Sequence, residues 1–97
     1  MKPKEAIKIL RDDASKRNGG IFYEDERLRL FDAASILMTH CRSQTSYLLE
    51  KAVELESCLT ILGSPTKLRQ TSGGVHQVVL NILSALDTIE SSLEPED

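Results

Sequence analysis

From Val75 to Leu93 the apolar residues Val75, Val79, Ile82, Leu86, Ile89 and Leu93 recur at alternating steps of four and three without a break. That is the period of one face of an α-helix; a strand, whose side chains alternate every two residues, cannot gather these six on one side. The pattern predicts a helix from about Gly74 to Leu93, with Ser72 or Thr71 as its natural cap and residues 94–97 as a frayed acidic tail.

The same period runs through the rest of the chain. Leu30, Ala34, Leu37 and Cys41 form one seam, and Leu48, Ala52, Leu55, Leu59 and Leu62 form the next, stopped by Gly63, Ser64 and Pro65. Between them the polar run from Arg42 to Ser46 is the main ambiguity: either one helix spans about 23–62, or two meet near Gln44. The continuous helix is favoured, because the run holds no Gly or Pro and a polar turn facing solvent costs a helix only tenths of a kcal/mol per residue, roughly. Nearer the start, Pro3 suits a first helical turn, and Ala6, Ile7, Ile9, Leu10 and Ala14 keep helical spacing until Asn18, Gly19 and Gly20, predicting a helix over about 3–17. No strand-like alternation and no internal repeat breaks this reading.

The expected fold is therefore all-α: one domain over residues 1–97, a three- or four-helix antiparallel bundle with one long central helix if 23–62 is unbroken. Such a helix would be about 60 Å long. A monomer built on it would be thin, so the expectation is that two copies pair as a homodimer; a break near 44 would instead give a compact four-helix bundle. A chain of 97 residues has a modest core in either case, which also favours association.

Composition narrows the function. With 40 % hydrophobic and 28 % charged residues the chain is globular, and with only Phe22, Tyr23, Phe31 and Tyr47 as aromatics and no Trp it is poorly supplied for stacking on bases or sugars. A net charge of −3 argues against a general nucleic-acid binder. The charge is uneven, however: Lys2, Lys4, Lys8, Arg11, Lys16 and Arg17 face only Glu5, Asp12 and Asp13 before residue 18, while the remainder is strongly acidic. The favoured explanation is a basic helix packed near acidic faces such as Glu50, Glu54 and Glu56; nucleic-acid contact by that helix is a third-ranked alternative. No apolar run approaches the roughly 18 residues of a membrane span, and the opening MKPKEAIKIL lacks a signal-peptide pattern, so the expected setting is cytoplasmic, without membrane contact and with Cys41 and Cys58 reduced.

Several aliphatic residues fall off the seams, among them Ile36, Leu49, Val53 and Leu80. In a chain with few elements to cover second faces they are the candidate partner-binding surface, for the chain itself or another protein. The expected function is thus a non-enzymatic helical protein-protein interaction module, a small regulatory, inhibitor, immunity or adaptor protein.

The competing site is Lys67, Arg69, Ser72, Gly73, Gly74 and His76, where cations and glycine amides before a helix would suit a small anion or nucleotide. It lacks the GxxxxGK[ST] order and the preceding strand of a phosphate loop, and an ordinary capped loop is the favoured reading. His40, Cys41, Cys58 and His76 are possible metal ligands without CxxC or HxxxH spacing; adjacent His40 and Cys41 diverge by about 100° on a helix, so no metal and no cofactor is expected. No Cys, His and acid share one helical face, which argues against an enzyme.

Overall fold

A computed structural model describes residues 1–17 and 24–93. Among these, all regular structure is helical: α1 (Pro3–Lys16), α2 (Glu24–Arg42), α3 (Ser46–Leu62), α4 (Pro65–Gln70) and α5 (Gly74–Glu90). The Asn18-Gly19-Gly20 stop signal, the start expected at Tyr23 and the tail at 94–97 lie outside the described residues.

The favoured continuous helix over 23–62 is not what forms. The chain breaks at residues 43–45, and the break has a local cause in Thr45, which adopts an extended conformation (φ −123°, ψ 158°) while its hydroxyl accepts the Leu48 amide at 3.2 Å. That satisfies one of the orphan donors at the start of α3. On the other side, the Ser43 amide donates to the His40 carbonyl and that of Gln44 to Cys41, tightening the last turn of α2. None of this needs a glycine, because an N-cap requires only extended backbone. Folding back also lets Leu48, Ala52 and Leu55 pack into the same core as Leu37 and Cys41. Each of the two leucines, Leu48 and Leu55, gains about 1.5–3 kcal/mol on burial, against tenths for continuing the helix.

α4 corrects a second expectation, since residues 65–70 form a helical turn and a half rather than loop. Ser64 is its N-cap, the hydroxyl accepting the Lys67 amide at 3.4 Å, and Pro65 occupies the first turn, where its missing amide hydrogen costs nothing. The expected cap of α5 is corrected too: the residue in that place is Gly73, in a left-handed conformation (φ 85°) that donates no side chain, while the Thr71 hydroxyl turns back to the Lys67 carbonyl at 2.9 Å. At its far end α5 stops at Glu90 and not Leu93. There Ser91 and Ser92 donate their hydroxyls to the carbonyls of Thr88 and Ile89, competing with further helical hydrogen bonding.

The long helices share one core. α1 contributes Ala6, Ile7, Leu10 and Ala14; α2 contributes Leu30, Ala33, Ala34, Leu37 and Cys41; α3 supplies its whole seam with Cys58; and α5 adds Val78 and Ala85 to Val79, Ile82, Leu86 and Ile89. α1 packs on α2 and α5, and α3 packs on α2 and α5, so contact runs in a closed circuit with α1 and α3 across from each other. α4 bridges α3 and α5 and lays Leu68 against the core's edge. The result has a radius of gyration of 12.9 Å and a longest dimension of 39 Å, too short for a helix of about 60 Å.

Charge ties the circuit at the surface. The Arg11 guanidinium of α1 forks onto α5, donating to both carboxylate oxygens of Glu90 at 3.0 Å and to Asp87 at 2.8 Å. Arg17, at the end of α1, grips Asp13 through two hydrogen bonds and reaches Glu26 of α2 at 3.3 Å. The arginines of the basic segment therefore pair with acids of α1, α2 and α5, not with those of α3. No helix among the described residues is long and apolar enough to cross a membrane.

Candidate functional site

α3 turns its seam inward, so the opposite arc of the helix faces outward, and it is not simply polar. Leu49 and Val53 lie one turn apart, 100–140° around the helix from the buried stripe. Val53 is 48 % exposed; Leu49 is half-buried without belonging to the core or its packed edge. A shallow, open groove between the side-chain ridges of α3 itself is bounded by Ser46, Tyr47, Leu49, Glu50, Lys51, Val53 and Glu54.

Acids border the apolar pair. Glu50 and Glu54, one turn apart, follow one edge of the Leu49 and Val53 stripe, and Glu56 lies on the other; all three are exposed. The helix has one cation, Lys51, and it is engaged: its ammonium is 3.4 Å from Glu54 and 5.5 Å from the centre of the Tyr47 ring. Tyr47, Lys51 and Glu54 thus form a connected strip beside the groove. In sequence Tyr47 stands out only as one of four aromatics; its spacing of four and seven to Lys51 and Glu54 is the signal that places the three together.

The structure brings Leu49 and Val53 together and leaves the other two partner-binding candidates elsewhere. Ile36 is only partly exposed and packs against the core, as the second face of a helix with several neighbours would. Leu80 is 45 % exposed on α5 and does not line the α3 groove.

The anion-binding candidates are divided between two elements. Lys67 and Arg69 fall in the short α4, with the Arg69 Nε donating to the Pro65 carbonyl at 3.4 Å. Ser72, Gly73, Gly74 and His76 follow, but the Gly74 amide, a donor an anion would need, is directed to the Thr71 carbonyl at 3.2 Å. His76 is exposed at the start of α5.

Cys41 and Cys58 are both free and buried. Burial raises the Cys41 thiol, and burial with the Glu54 charge pushes Cys58 up to about 11, so both are held as thiols and disarmed as nucleophiles. His40 has its Nε2 shielded and without a hydrogen-bond partner among the described residues, on a side chain only partly exposed. Among the described residues no three His, Cys, Asp or Glu side chains group to hold a metal. A cleft between α1 and α2 is lined by carboxylates and cations alternately, including the Asp13, Arg17 and Glu26 cluster already paired.

Comparison of the chain with protein-family models, curated proteins and solved structures gives no match.

Proposed function

We propose that this chain is a non-enzymatic protein-protein interaction module whose working surface is the outer arc of α3. The observation that carries the reading is the pair Leu49 and Val53, the first half-buried and the second exposed, in a groove that no other helix among the described residues lines. Exposed apolar side chains scattered singly are ordinary; two on adjacent turns, with Tyr47 and charged residues around them, have the make-up of an interface centre and rim. Leu80 is a second, separate apolar position that a large partner would reach. The buried, protonated thiols favour a binding role over nucleophilic catalysis.

The finer architecture proposed with it is an antiparallel four-helix bundle, favoured by the short connection at 43–45 and by the closed circuit of contacts. A homodimer is the competing occupant of the α3 face. One ground on which it was expected, a thin monomer around one long helix, is absent once α2 and α3 fold back, while the modest core of a 97-residue chain and its uncovered second faces still favour association. An anion site at 67–76 ranks below both, because the Gly74 amide is occupied and Lys67 and Arg69 belong to a six-residue helix.

The test is site-specific photocrosslinking in the cell of origin, with a photoreactive residue at Val53 in one variant and at Thr39, exposed on α2, in another. A discrete adduct formed from position 53, absent from position 39 and lost when Leu49→Glu is added, is the expected result. Equal adducts from both positions, or none from 53, would refute the assignment.

A further inference from the structure

The acids around the α3 groove bear on what fits it, and the inference rests on the reading of that groove as the working surface. We infer that its occupant is a basic amphipathic helix of another protein, presenting an apolar stripe to Leu49 and Val53 and Lys or Arg on both flanks.

The first ground is charge. Glu50, Glu54 and Glu56 lie to both sides of the stripe, and the one cation of α3 is already held by Glu54 and the Tyr47 ring. A ligand crossing the stripe meets a carboxylate with no ion-pair partner among the described residues on either edge, Glu50 on one and Glu56 on the other. An acidic peptide, a nucleic acid or an anionic lipid surface would bring like charge to both, whereas a cationic flank brings complementary charge to both. The second ground is shape: Leu49 and Val53 stand at i and i+4 along one helix, the spacing that a second helix's own i, i+3 and i+4 side chains interleave with.

A second copy fits less well. Two α3 faces packed about a two-fold axis would set the Glu50, Glu54 and Glu56 edges of both copies close together, with one already engaged lysine from each. The basic α1 offers the right sign, in exposed Lys2, Lys4 and Lys8, but its apolar residues Ala6, Ile7, Leu10 and Ala14 are buried in its own core. It has no apolar stripe left to lay on Leu49 and Val53.

The probe is a synthetic 18-residue Leu/Lys amphipathic peptide, titrated into the intact chain by fluorescence anisotropy. Controls are a scrambled peptide of the same composition and a Leu/Glu peptide of the same pattern. The expected result is saturable binding of the Leu/Lys peptide alone, about ten-fold weaker for Glu50→Gln/Glu54→Gln/Glu56→Gln and weakening as salt rises. The control variant Glu5→Gln/Asp12→Asn/Asp32→Asn, three exposed acids outside α3, should bind as the parent does. Circular dichroism checks that each variant is folded.

If Leu49→Ser/Val53→Ser abolishes binding while neutralising the α3 acids does not, the basic occupant is overturned and the groove stands. If neither set of changes matters, or the scrambled peptide binds equally, groove and occupant both fall. Competition of peptide binding by the chain's own self-association would assign the face to a second copy and overturn the inference.

Discussion

Gly73 and Gly74 sit at adjacent positions with positive φ, 85° and 61°, and differ in what surrounds them. A Cβ at position 73 would lie 2.6 Å from the Cβ of Gln77, whereas one at 74 would meet nothing within 4 Å. Both substitutions carry the left-handed penalty of about 1 kcal/mol, but only the first adds a clash with the base of the Gln77 side chain. Gly73→Ala should therefore lower unfolding free energy by about 2–3 kcal/mol and Gly74→Ala by about 1, read from urea titrations. Equal losses would contradict the turn geometry. Glu90 supplies a pH dependence on the same scale. Its carboxyl is held below the usual range chiefly by the Arg11 hydrogen bonds, with the Arg11 and Lys4 charges adding. A depressed carboxylate stabilises the fold above its unfolded pKa of about 4.3, and that contribution is lost as pH falls through the lower native value. The pair is largely solvent-exposed, so the effect is tenths of a kcal/mol, roughly. Chemical denaturation at pH 7 and at about pH 3 should show the parent ahead of Glu90→Gln only at pH 7; an equal gap at both would mean the carboxylate's charge is not what Arg11 binds.

At the scale of the element, the seams were legible because burial on one side imposes a period that the residues themselves display. Leu30 to Cys41, Leu48 to Leu62 and Val79 to Ile89 are in the core as their spacing predicts. What spacing cannot convey is where a helix reverses without glycine. Thr45 is an N-cap in the structure and reads in sequence like any polar helix surface residue; only the tertiary gain from folding α3 onto α2 decides between the two. Thr45→Ala should cost about 1 kcal/mol, and Thr45→Asp should restore most of it. If both are neutral, the reversal is held by core packing alone. Ser64 and Pro65 are the opposite case: the pair is plain in the sequence and reads as the stop of one helix, and it is also the start of α4. Of the candidate surface, Leu49 and Val53 could be found by projection around the helix, and the same projection placed Ile36 off its seam. It could not say that neighbouring helices cover Ile36 and leave Val53 open, because that depends on which elements become neighbours.

For the whole molecule, the closed circuit of α1, α2, α3 and α5 means that one copy covers its own core, leaving Val53, Leu80, Tyr47, Leu28 and Met1 as the large exposed apolar side chains among the described residues. It also separates charge. The arginines of α1 are neutralised by Asp13, Glu26, Asp87 and Glu90, while Glu50 and Glu56 of α3, across the circuit, have no such cation from α1. The α3 face is in this way left both apolar and acidic by the packing of everything else. The solution mass tests this most directly, measured by light scattering after size exclusion from low to high micromolar concentration. A single species at the mass of one chain, 10.8 kDa, unchanged by Leu49→Glu/Val53→Glu, is the expected result. A stable dimer that this double substitution converts to a folded monomer would contradict it, showing that the α3 face is covered by a second copy and not held open for a different protein.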